Sequence, residues 1–164
     1  MTELMTTRLH PLIVKTIAWA DEAATLRFAQ SLALQPALRD ATIELHGDLG
    51  AGKTTFVRHL LKSLGVEGRI KSPTYAVVEP YHLADRKLDV WHFDFYRFND
   101  PDEWEEAGFR DIFASPGLKL VEWPDKAGPH LPGPDLQLRI EMLDNDERAV
   151  TLTAFTTTGS NLLA

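Results

Sequence analysis

Eight consecutive residues carry the clearest chemistry in this 164-residue chain: Gly47-Asp48-Leu49-Gly50-Ala51-Gly52-Lys53-Thr54 matches G-x-x-x-x-G-K-[ST] at every fixed position. Each residue type has a physical reason to be there. Glycines let the backbone curl until successive N–H groups point inward, where a Cβ would obstruct a phosphate oxygen. A helix starting at the end of the loop presents free N–H groups and the positive end of its dipole to the same anion. Lys53 then reaches the β- and γ-phosphates, and the Thr54 hydroxyl is a Mg²⁺ ligand. The expected nucleotide-binding residues are therefore Asp48, Leu49, Gly50, Ala51, Gly52, Lys53, Thr54 and Thr55, with ATP·Mg²⁺ as the cofactor. Chance alone produces such a string in roughly one chain of this length in a few hundred.

A phosphate cradle needs an acid, and in such sites it stands at the end of a buried strand and holds Mg²⁺ directly or through water. Glu122, closing Leu118-Lys119-Leu120-Val121, is the first candidate, and Asp94, closing Val90-Trp91-His92-Phe93, is the second. Lys53, Asp94 and Glu122 form the expected catalytic set, and Thr54 and Glu122 the expected metal ligands. Ser72 and Thr74, in a Ser-Pro-Thr segment after the loop's helix, are expected to offer a hydroxyl near the γ-phosphate, as a switch loop does. The histidines His59, His82 and His92 lack a partner at metal spacing and read as packing or surface residues. Trp91, Trp104 and Trp123 read as core or interface, Trp123 being next to the proposed metal acid.

Elements of the right kind surround these residues. Thr42–His46 reads as a short strand entering the loop. After the loop, Phe56, Val57, Leu60, Leu61 and Leu64 share one helical face, and Gly65 is a suitable stop. Upstream, Asp21 is an expected N-cap for a helix over 23–34, ending before Pro36. Segments 74–81 and 88–94 read as strands of a hairpin, 102–108 as a short helix, and 118–123 as a buried strand. Prolines and glycines make 124–134 a loop, and 136–142 and 149–155 alternate as two final strands around a turn at 144–146. One ATP-binding domain over 1–156 is expected, with 157–164 a flexible, polar tail.

Composition narrows the classes. Cysteine is absent, which excludes disulfides and every Cys-based metal or nucleophile site. Seventeen basic residues against 24 acidic leave a net charge of −7, which disfavours strong, surface-wide binding of nucleic acid. Any link to RNA is expected to run through a partner protein. The N-terminal apolar run covers only 12–14, too short for a signal-peptide core or a membrane span. Cytoplasmic location without membrane attachment is expected.

Four motifs occur in order: 47–56 (GDLGAGKTTF), 71–75 (KSPTY), 92–97 (HFDFYR) and 121–124 (VEWP). Together they resemble the TsaE family (formerly YjeE), the bacterial ATPases of tRNA threonylcarbamoyladenosine biosynthesis. The resemblance implies an α/β fold, a P-loop NTPase-type three-layer sandwich with a mixed, partly antiparallel sheet. It also implies weak ATP hydrolysis and a working complex with TsaD and TsaB, through which tRNA is reached indirectly. By the same resemblance Thr54 and Glu122 bind Mg²⁺, Asp94 matches the acid of the third motif, and Ser72 and Thr74 match the switch-like loop. Phe95 stands where the family more often has leucine. The segments expected to grip adenine, near 16–20 and Arg148, match too loosely for residues to be assigned. Two other functions fit the loop alone: a small P-loop kinase, and a nucleotide-gated interaction module without turnover.

Overall fold

The computed structural model describes residues 10–71, 73, 77–98 and 108–164. Seven strands build one sheet: β1 (Ile13–Trp19), β2 (Thr42–His46), β3 (Val78–Leu83), β4 (Leu88–Asp94), β5 (Leu118–Glu122), β6 (Leu136–Met142) and β7 (Arg148–Ala154). Their spatial order is β1-β7-β6-β2-β5-β4-β3. The central four, β6, β2, β5 and β4, run parallel, while β3, β7 and β1 join antiparallel to their neighbours. This is the mixed sheet expected of the P-loop class. The ends of β2, β5 and β4 lie side by side, and in open α/β sheets the carboxyl ends of parallel strands are where ligands bind.

Period-two alternation sorts side chains between the two faces. Ile43, Leu45, Leu120, Leu136, Leu138, Val150 and Leu152 point to one face, where they form the larger core with Phe56, Leu60 and Leu61 of α2 (Lys53–Leu64) and Ala29 and Leu32 of α1 (Glu22–Ala33). On the other face Phe93 and Val121 pack with Phe95, Phe98, Ala127 and Phe109 of α3 (Phe109–Ala114). Two helices, the sheet and this aromatic cluster make the three layers. The helix signals behave as their chemistry requires: the Asp21 carboxylate accepts from the Ala24 N–H at 2.8 Å. Gly65 ends α2 in the left-handed conformation, with its N–H directed to Leu61 and Lys62 carbonyls.

Three elements depart from the sequence reading. β1 was not anticipated, because it is an edge strand exposed along most of its length and so lacks the alternation of a half-buried strand. α3 lies just after the helix expected at 102–108, of which 102–107 lie outside the described residues and Gly108 is the residue that precedes α3. Residues 74–76 are likewise outside them, and β3 itself occupies Val78–Leu83.

A further departure is a correction. The expected flexible tail is instead a docked helix, α4 (Thr157–Leu162), with Leu162 only 4% exposed. Its N-cap explains the order: the Thr156 hydroxyl accepts from the Gly159 N–H at 3.1 Å and donates to Asp135 Oδ1 at 2.7 Å. Asp135 in turn accepts the Thr42 N–H on Oδ2 at 2.8 Å, tying the helix to β2. A Cβ on Gly159 would fall 1.9 Å from the Asp135 carbonyl oxygen. Gly159→Ala should therefore destabilise the protein by about 1–3 kcal/mol through overpacking, although alanine ordinarily favours a helix. Urea unfolding checks this, and unchanged or increased stability would mean that α4 is not docked.

Candidate functional site

The loop connecting β2 to α2 is shaped by close approach. A Cβ on Gly47 would stand 2.6 Å from the Ile140 carbonyl oxygen of β6, so only glycine lets the chain leave β2 against that strand. Gly52 precedes α2 in the left-handed conformation (φ 114°), and Lys53 opens the helix. The structure thus places 47–54 between the central strand and a helix N-terminus, the arrangement a phosphate requires.

Lys53 is 4% exposed. Its Nζ donates to the carbonyls of Gly47 and of Asp48, the latter at 3.0 Å. It also stands 4.3 Å from the centroid of the Trp123 ring, a cation–π contact. Trp123 has left-handed backbone (φ 55°), uncommon for so bulky a residue, and the bend lays its ring over Lys53 directly after β5. Trp123 thus contacts the site itself, beyond the core or interface role read for it. Burial pulls the Lys53 ammonium below the ordinary lysine range, against the opposing pull of Glu122, Asp94 and Asp48.

Strand register brings the acids together. Asp94 of β4 is the direct neighbour of Glu122 of β5, which in turn neighbours Leu45 of β2. Glu122 is 2% exposed. The Thr54 hydroxyl donates to its carboxylate, 3.0 Å from Oε1 and 3.2 Å from Oε2. Thr54 and Glu122 are therefore in direct contact. Asp94 is partly buried and accepts the Tyr96 N–H at 2.9 Å. Burial raises its pKa above the ordinary carboxylate value; the Tyr96 N–H lowers it, Glu122 raises it further, and His92 and Lys53 lower it.

That shift has a sign for stability. A carboxyl whose folded pKa is raised favours the folded state at low pH, and this benefit is lost as pH rises through the raised value. At neutral pH the ionised Asp94 is then a cost to the fold. Asp94→Asn, which keeps an oxygen for the Tyr96 N–H, should raise the melting temperature at pH 7, with the gain vanishing below the carboxylate range. Melting curves of both proteins across pH measure this. A lower midpoint for the variant at pH 7 would contradict it.

Among the remaining expectations, Ser72 and Thr74 lie outside the described residues. His59 pairs with exposed Glu22 at 2.9 Å and the exposed His82 with Asp89 at 2.5 Å, both consistent with surface roles. His92 differs. It is 1% exposed, and its Nε2 lies 2.6 Å from Glu122 Oε2, so it belongs to the site and not merely to the packing. The sequence reading missed this because the contact depends on the register of β4 against β5.

Beside the start of α2 is a cavity of about 260 Å³, lined by Trp19, Asp21, Thr25, Gly52, Thr55 and Arg148 among others. Arg148 Nε donates to the Ala51 carbonyl at 3.0 Å, which fixes β7 against the loop. The structure therefore joins the two segments to which no residue-level role was assigned, the end of β1 and Arg148. A larger cavity, about 560 Å³, lies on another side of the loop, between 47–51 and the end of β6. The smaller one adjoins Gly52 and Thr55 at the helix start and has Trp19 in its lining.

The chain is similar to known proteins over most of its length. The family model for threonylcarbamoyl adenosine biosynthesis protein TsaE matches residues 19–150. A tRNA threonylcarbamoyladenosine biosynthesis protein TsaE from Haemophilus influenzae is 40% identical over 148 residues, covering 88% of this chain and 92% of that protein. One from Bacillus subtilis is 39% identical over 112 residues, 68% of each chain. The crystal structure of YdiB from Bacillus subtilis superimposes with a TM-score of 0.69 at 30% identity, covering 92% of this chain and 93% of that one. The fold, the ordered motifs and these matches agree: this chain belongs to the TsaE family of tRNA threonylcarbamoyladenosine biosynthesis.

Proposed function

We propose that the chain binds ATP·Mg²⁺ at 47–55 and hydrolyses it slowly, assisting TsaB and TsaD in forming threonylcarbamoyladenosine beside the anticodon of tRNA. The observation that carries this reading is the 3.0 Å contact between the Thr54 hydroxyl and the buried Glu122 carboxylate, at the start of the helix that follows a phosphate-binding loop. Both donors are hard oxygens, the type that suits Mg²⁺. That ion is ordinarily held by one or two carboxylates together with substrate phosphates.

Each residue then has a task. The loop N–H groups and the start of α2 bind the phosphates, with Lys53 turning its ammonium from the loop carbonyls toward the β- and γ-oxygens. Thr54 and Glu122 hold the ion, which when bound offsets charge on those phosphates. Asp94, beside Glu122, orients the attacking water and takes its proton. Its raised pKa moves it toward the range in which a general base works efficiently near neutrality. Adenine occupies the cavity under Trp19 and Arg148. With a net charge of −7, the chain leaves most tRNA contact to its partners. Among the described residues no helix is long and apolar enough to cross a membrane, and the proposed site of action is the cytoplasm.

The fate of the γ-phosphate tests this reading. With γ-labelled ATP and the partner proteins present, all label should appear as inorganic phosphate. Label transferred to another acceptor would identify a kinase, and ATP bound without turnover would identify a nucleotide-gated module.

A further inference from the structure

His92 is placed by register and not by sequence proximity to any other site residue. It precedes Asp94 by two residues on β4 and so shares its face, with Leu120 as its direct neighbour and Glu122 two residues further along β5. Val90 and Leu120 beside it are fully buried. An apolar side chain would pack naturally in such surroundings, yet the position holds an imidazole. Its Nε2 meets Glu122 Oε2 at 2.6 Å, while its Nδ1 is buried with no hydrogen-bond partner among the described residues. The polar engagement of this ring is thus directed at Glu122. On the same carboxylate, the Thr54 hydroxyl lies closer to the other oxygen, Oε1.

We infer that His92 is a positioning residue for Glu122: its Nε2–H holds Oε2 so that the carboxylate faces the Thr54 hydroxyl in the orientation that accepts a divalent cation. The inference rests on the ATP·Mg²⁺ reading above and deepens it. A glutamate has three side-chain torsions, and Lys53 offers a competing charge close by. A fixed imidazole donor removes the torsional freedom that would let the carboxylate swing toward that ammonium. Hydrogen-bond partners that orient metal-binding side chains typically contribute 10–100-fold to metal affinity.

The test uses the full chain with a non-hydrolysable ATP analogue and Mn²⁺ as the probe, free Mn²⁺ being read by electron paramagnetic resonance. His92→Leu removes the donor, His92→Gln keeps an N–H near the place of Nε2, and His92→Asn carries an amide too short to reach it. The expected result is a loss of Mn²⁺ affinity of about 10–100-fold for His92→Leu and His92→Asn. His92→Gln should recover most of it, and nucleotide affinity in EDTA should stay near wild type in all three. Melting curves identify variants that have lost the fold, and the Gln and Asn pair decides the matter if His92→Leu does not fold. Equal Mn²⁺ affinity for the Gln, Asn and wild-type proteins, with only melting temperature altered, would overturn the inference and leave His92 a packing residue. If the wild-type protein with nucleotide takes up no Mn²⁺ at all, the ATP·Mg²⁺ reading falls, and this inference with it.

Discussion

Lys53→Ala should weaken ATP binding by about tenfold to a hundredfold or more and abolish measurable hydrolysis. A hydrogen bond to a charged group contributes roughly 1.5–3 kcal/mol, and the Lys53 ammonium is the cation that the loop itself supplies to the β- and γ-phosphates. Its present partners, the Gly47 and Asp48 carbonyls and the Trp123 ring, are neutral groups that it can exchange for phosphate oxygens. Glu122, Asp94 and Asp48 are near enough to act on its charge, so removing it leaves the charge of those acids less compensated. Lys53→Met, which keeps the apolar stem, separates lost packing from lost charge. Both variants should bind ATP poorly, and calorimetric titration beside a melting curve checks it. Wild-type affinity in a folded Lys53→Ala protein would remove the loop from the account.

Addition of TsaB and TsaD should raise the turnover of the isolated protein by a large factor, up to about 10³, the lower end of what an arginine supplied in trans contributes to phosphoryl transfer. The placement of the chain's own cations leads to this expectation. Lys53 serves the ground-state phosphates, and Arg148 donates to the Ala51 and Asp146 carbonyls beside the proposed base cavity. Arg97 follows β4 in an exposed turn. A further charge on the transferring phosphoryl group is then most readily brought by a partner. Steady-state hydrolysis, measured alone and with both partners, is the check. Equal rates, or a fast isolated enzyme, would contradict the helper role and favour a self-sufficient kinase or hydrolase.

What the sequence revealed, and what it hid, follows from how local each signal is. The loop, β2 before it and α2 after it were legible because glycine spacing and helical periodicity are written within about 25 residues. β4 and β5, each ending on an acid, were legible as apolar runs, and so were Asp94 and Glu122. His92 opens the third ordered motif, but its contact with Glu122 was not legible, because it depends on a neighbouring strand 30 residues away. Arg148 meets Ala51 across 97 residues of sequence for the same reason. The C-terminal helix was obscured by small polar residues, although Thr156 as a cap and the Leu162-Leu163 pair were signals of it. The edge strand β1 shows that a strand with little burial leaves almost no pattern to read.

In the reading proposed above, 47–55 and Glu122 together hold ATP with a divalent cation. Calorimetric titration of ATP into the wild-type protein, with Mg²⁺ and again with EDTA, measures this. Saturable one-to-one binding that is tighter with Mg²⁺ is expected, with loss of that Mg²⁺ dependence in Glu122→Ala. Absence of saturable binding, or identical affinity with and without Mg²⁺, would rule this site out.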